Sequence, residues 1–206
     1  MADVQLDTES TPGTPGAGTG FLYLDSTTKR LMNNDDGGNA RGVLSKNFST
    51  ATQSPATTDT YITNSNVIVP TIGLQAGMTI RWFMGATKAA AGTGTPVYTI
   101  RLGSGLAITD TAIVALTADS AQTAAADNGL LVVQGVLQVA GASAVLGACA
   151  LWVKSVAAAT GFGGGKVAQS ATFNSGGSAG LSWGLSINGG TASAWTVVFI
   201  EGELIG

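Results

Sequence analysis

Histidine is absent from this chain, and cysteine occurs once, as Cys149. The missing imidazole removes the commonest general base near neutral pH and the usual nitrogen ligand of zinc. Together the two shortages exclude a Ser/His/Asp triad, a Cys/His pair, a thiolate metal centre within one chain and any intrachain disulfide. Charge is sparse too: 9 Lys plus Arg against 12 Asp plus Glu in 206 residues, a net of −3. No basic field is available to hold phosphates, so nucleic acid is not an expected partner. Of the four tryptophans, Trp82, Trp152 and Trp195 sit inside apolar strand-like patterns, and only Trp183 stands in a glycine-rich flank where a ring could meet a sugar.

The acids that remain suggest no catalytic pair. Asp35-Asp36 precedes Gly37-Gly38 and reads as turn chemistry, whereas Glu201 and Glu203, two residues apart, share one face of the last strand and read as solvated edge charges. Asp110, Asp119 and Asp127 lie in Thr- and Ala-rich connections, without the aromatic flanks that a sugar-cleaving groove needs. The stretch Thr160-Gly161-Phe162-Gly163-Gly164-Gly165-Lys166-Val167 departs from a phosphate loop: three residues separate Gly161 from Gly165, and Val167 stands where a hydroxyl must contact magnesium. Cys149, within the apolar run 146–153, reads as a small buried apolar residue. No catalytic residue, metal ligand or cofactor-binding residue emerges, so no enzymatic activity and no cofactor are expected.

The start, Met1-Ala-Asp-Val-Gln-Leu-Asp, carries acids where a secretory signal needs bases, and signal-directed export is not expected. Residues 129–153 run uncharged for long enough to span a bilayer. The break at Ala140-Gly141-Ala142-Ser143 divides them into two strand-length pieces rich in Val and Leu, which predicts a hairpin and no membrane partner.

What the chain does contain falls into two parts, residues 1–45 and 46–206. In Thr11-Pro12-Gly13-Thr14-Pro15-Gly16-Ala17-Gly18-Thr19-Gly20, proline and glycine alternate with small residues, which predicts an extended arm. Two short strands over 21–25 and 29–33, joined by Ser26-Thr27-Thr28 and closed by Asn34-Asp35-Asp36-Gly37-Gly38, predict a β-hairpin. A lone hairpin is marginally stable in water, so this one requires a surface to pack on.

The arm, the aromatic-Leu-Tyr-x-Asp-Ser hairpin with Lys29-Arg30-Leu31, and the Asn/Asp/Gly closure resemble a recurrent module of tailed-phage head-decoration, head-fibre and short tail-fibre proteins, over about 25 of the 206 residues. The resemblance implies a homo-oligomer, a trimer above all, on the virion surface, assembled in the bacterial cytoplasm. Its arm and hairpin would grip a phage capsid or tail protein through Pro12, Pro15, Phe21, Leu22, Tyr23, Leu24, Asp25, Leu31 and Met32. The chain has no coiled-coil heptads and no shaft repeats, which favours a short knob, a capsid decoration or head fibre, over a long tail fibre. The alternative is a tail-fibre or baseplate receptor-binding protein recognising a host surface glycan through the glycine-rich loops 87–95 and 160–166.

From residue 46 onward, apolar β-rich runs alternate with Gly, Ser, Thr, Asn and Pro. They predict strands over 61–69, 78–86, 96–103, 112–116, 129–139, 144–156, 181–188 and 195–204. Eight strands without a convincing amphipathic helix point to an antiparallel β-sandwich, a jelly roll or another two-sheet topology. Met78, Ile80, Trp82 and Met84 share a core face, as do Trp195, Val197 and Phe199. The two central runs are apolar on both faces, so Leu131, Val133, Leu137, Val139, Leu151 and Val153 are expected either in the core or at a contact between subunits.

Overall fold

Short runs of β-branched and aromatic residues can bury one face only by packing against a second sheet. The computed structural model describes residues 8–9, 13–14, 16–17, 21–26, 31–34, 40–41, 43–70, 72–154, 164–191 and 194–206, and among them the fold is all-β. The N-terminal part forms one sheet, ordered β1 (Thr8–Glu9), β2 (Phe21–Asp25), β3 (Leu31–Asn34), β4 (Ala40–Arg41). β2 and β3 make the expected hairpin, Tyr23 opposite Met32. β1, contributed by the arm, adds in parallel with Thr8 opposite Leu24.

The rest is an antiparallel sandwich. Its strands are β5 (Val43–Ser49), β6 (Thr60–Tyr61), β7 (Val67–Ile68), β8 (Thr79–Lys88), β9 (Val97–Gly103), β10 (Thr111–Thr117), β11 (Asp127–Val139), β12 (Val145–Lys154), β13 (Lys166–Gln169), β14 (Ser182–Asn188) and β15 (Trp195–Ile205). One sheet runs β13-β12-β11-β8-β15-β5; the other runs β10-β9-β14-β6, with β7 also on β14. The chain therefore crosses repeatedly between sheets, and the inward side chains Trp82, Met84, Tyr98, Ile100, Leu116, Leu131, Leu185 and Trp195 fill the space between them. Three buried indoles donate to fixed acceptors: Trp82 Nε1 to the Ser65 carbonyl (2.7 Å), Trp152 Nε1 to Tyr98 Oη (2.6 Å) and Trp195 Nε1 to Gln122 Oε1 (2.8 Å).

The uncharged run 129–153 folds as the expected hairpin, β11 against β12. Several expectations need correction. The stretch 61–69 is not one strand. Between β6 and β7 the chain turns through Asn64, at φ 63°, and the buried Ser65 hydroxyl accepts from the Leu185 amide (3.0 Å), so turn chemistry overrides the apolar run. β5 opens at Val43, so the division at 45/46 falls inside a sandwich strand. In β15 an extra residue, Val198, sits between Val197, opposite Ala86, and Phe199, opposite Gly85. This bulge reverses the alternation. Trp195 and Val197 point into the core as expected, but Phe199 turns outward over Gly85, and Ile200 and Leu204 become the buried pair.

Candidate assembly surfaces

Two surfaces carry the residues singled out from the sequence. The first is the N-terminal sheet. Tyr23 and Met32, directly paired, are both buried, and Leu24 on the neighbouring position is half-buried. Phe21, Leu22, Asp25 and Leu31 lie on the paired backbone of β2 and β3, while Pro12 and Pro15 lie outside the described residues.

The second is the outer face of the six-stranded sheet, where alternation along β11 and β12 separates the six central residues. Leu131, Val133 and Leu137 point inward and are buried; Leu151 and Val153 point outward and are exposed, as is Val139 at the strand end. Register places Leu151 opposite Val132 and Val153 opposite Leu130, giving two apolar cross-strand pairs on the same face. Cys149 is not fully buried as expected: its parity places it on this outer face, half-exposed, opposite Val167 of β13. Sequence reasoning missed Leu130, Val132, Val167 and Val198 as members of this surface. The alternation of β11 was the signal for the first two, whereas Val167 directly follows the glycine-rich loop expected over 160–166.

Charged groups on the outer face are paired within the chain. Arg81 and Glu203 are directly opposite and form an ion pair and a hydrogen bond through Nε (2.9 Å), with the guanidinium 4.8 Å from the Phe83 ring centre. Lys46 reaches Glu201 at 2.5 Å; Lys166, opposite the inward Ala150 and so on the other face of β13, reaches Asp119 at 2.7 Å. Glu201 and Glu203 are thus not edge charges, because β15 lies between β8 and β5, and Glu203 is buried.

The other polar clusters are likewise bonded within the chain, although Asp59 Oδ1 is buried with no hydrogen-bond partner. Lys88, at one end of the core opposite Asp127, donates to the carbonyls of Thr123 (2.6 Å), Ala125 (3.0 Å) and Ala91. Burial pulls its ammonium below the ordinary lysine value, with Asp127 opposing the shift. Arg101 pairs with Asp59 and donates to Ser186 Oγ (2.8 Å) and the Asp110 carbonyl (2.8 Å), while the Asp110 carboxylate accepts from the Gly105 amide (2.8 Å). Burial raises the hydroxyl pKa of Tyr61, and more strongly that of Tyr98, where the donor Trp152 partly opposes it. Such groups hold loops and strands together rather than confront an open groove.

Trp183, expected in a flank, is buried edge-on against Phe173, centres 6.4 Å apart. All four tryptophans are therefore interior. Of the suspected loops, Thr87 and Lys88 belong to β8, Lys166 belongs to β13, and residues 160–163 lie outside the described residues. Among the described residues, no three His, Cys, Asp or Glu side chains gather as metal ligands, and no helix is long and apolar enough to cross a membrane. No protein-family model, no curated protein and no solved structure matches this chain.

Proposed function

We propose that this chain is a non-catalytic structural protein of a tailed-phage virion surface, a capsid decoration or short head fibre held by its N-terminal sheet. The observation that carries the reading is the separate pairing of the two parts: among the described residues, β1 to β4 pair with one another and no strand of the sandwich joins their sheet. An independently paired arm-and-hairpin ahead of an outward β domain is what the resemblance of residues 11–38 implies.

The strand orders also support it. Taken as β5-β15-β8-β11 facing β6/β7-β14-β9-β10, with the β12–β13 hairpin as an insertion, they follow an eight-stranded jelly roll, an architecture recurrent in viral capsid domains. The interior position of every tryptophan weighs against the receptor-binding alternative, which calls for an exposed ring to stack on sugar.

Removing residues 2–41 and mixing the truncated chain with phage particles lacking it should leave a folded protein that no longer cosediments with the particles. Cosedimentation equal to that of the full chain would overturn the anchoring role.

A further inference from the structure

We infer that the outer face of the six-stranded sheet packs against a second copy of this chain, with Leu151 and Val153 of β12 and Val167 of the edge strand β13 in the contact. The inference rests on the assembly reading above and names the surface through which copies meet. Leu151 is 57%, Val153 53% and Val167 78% exposed, although each stands on a regular strand in the apolar half of its sheet. Contiguous exposure of this kind is uncommon on a solitary domain.

The relief of the face suits an identical partner. The paired rows Leu130–Val153 and Val132–Leu151 form a ridge. A hollow of about 450 Å³ lies at one end of it, lined by Gly129, Val153, Val198 and the Phe199 ring that covers Gly85. A second, of about 560 Å³, lies toward the other end beside Gly147, Gln134, Gln138 and Val167. A ridge flanked by hollows can be filled by the ridge of another copy, the self-complementarity that an isologous contact requires. Sheets packed face to face at a small angle are the common form of such a contact.

Charge selects the same partner. Lys46 and Arg81 are each neutralised by an acid of their own chain, so among the described residues the face offers no unbalanced charge to a nucleic acid or a charged peptide. An identical neutral face meets it without like-charge opposition. Six strands about 4.8 Å apart make the face roughly 29 Å wide, and the eight residues 130–137 at about 3.4 Å each make it roughly 27 Å long. That is on the order of 800 Å², the share each partner contributes to a standard interface.

Sedimentation velocity on the full chain across a dilution series tests this directly. The wild type should sediment as an oligomer, and Leu151→Glu and, separately, Val167→Lys should weaken association by roughly tenfold or more. Ala115→Glu, exposed on β10 of the other sheet, should leave it unchanged. Cys149 supplies a second readout, because its thiol should react with an aromatic disulfide reagent faster in Leu151→Glu than in the wild-type oligomer. A wild type monomeric at every concentration, an oligomer indifferent to both substitutions, or a monomer captured by phosphatidylcholine vesicles would each overturn the inference. Val167→Lys alters only a four-residue edge strand, so it remains decisive if Leu151→Glu fails to fold. Particle cosedimentation reads residues 2–41 instead, and its failure would leave this interface standing.

Discussion

Gln122 shows how much order a single side chain can impose here. It accepts from Trp195 Nε1 at 2.8 Å and donates to the carbonyls of Gly189 and Thr93, closing one end of the sandwich from a buried position. Leu at this position keeps the volume but removes the Gln122 partner of two buried groups, the Trp195 indole and the Gly189 carbonyl, at about 1–3 kcal/mol each before relaxation. Gln122→Leu should therefore lower the denaturant midpoint by an amount worth roughly 3 kcal/mol or more, measured by urea unfolding. Tyr98 gives a pH signature. Its hydroxyl pKa is raised by burial, so the stability carried by the neutral phenol is complete below the ordinary tyrosine value of about 10 and is lost as pH rises beyond it, by about 1.4 kcal/mol per pH unit. Lys88 acts in the opposite sense. Its lowered pKa means that the cost of burying its charge, present at neutral pH, is relieved as pH climbs toward 10.5. Thermal melts from pH 8 to about 11 should show Tm falling above pH 10 in the wild type and falling less in Tyr98→Phe, which itself costs about 1–2 kcal/mol at pH 7.

Among the elements, β15 separates what periodicity can reveal from what it cannot. The pattern Trp195, Val197, Phe199 reads as one face, and nothing in those residue types announces that Val198 is an extra residue in the pairing with β8. The bulge is decided by the demand that Ile200 and Leu204 reach the core and that the Phe199 ring lie over the bare backbone of Gly85. Deleting Val198 would restore a regular alternation and send every inward residue on one side of it to the wrong face. That variant should fail to give a cooperative melt, whereas Val198→Ala, which preserves the register, should cost less than about 1 kcal/mol. β8 was fully legible by contrast: Met78, Ile80, Trp82 and Met84 are all buried, because a central strand without a bulge obeys the two-residue period throughout. β13 escaped notice since four residues with Val167 facing outward carry almost no pattern.

For the whole molecule, the separate strand pairing of the N-terminal sheet and the sandwich among the described residues makes a stability claim. Residues 42–206 contain every strand of both sandwich sheets, so the fragment should melt cooperatively within about 5 °C of the full chain, a shift equivalent to roughly 1–2 kcal/mol. Differential scanning calorimetry would check it, and a fragment that does not fold would show that the N-terminal part completes the core.

The residue inventory alone determined that no Ser/His/Asp triad, Cys/His pair or intrachain disulfide can form, since those need side chains that are not there. Composition and alternation also determined the all-β class and the hairpins 21–34 and 127–154, because turn residues and apolar runs act locally. Only the tertiary structure decided which apolar residues are core and which are surface. Leu131 and Leu151 look alike in sequence, yet one is buried and the other exposed, because strand parity and the side from which the second sheet approaches assign the faces. It likewise decided that Glu203 faces Arg81 and that Cys149 stands opposite Val167, pairings set by the register between strands.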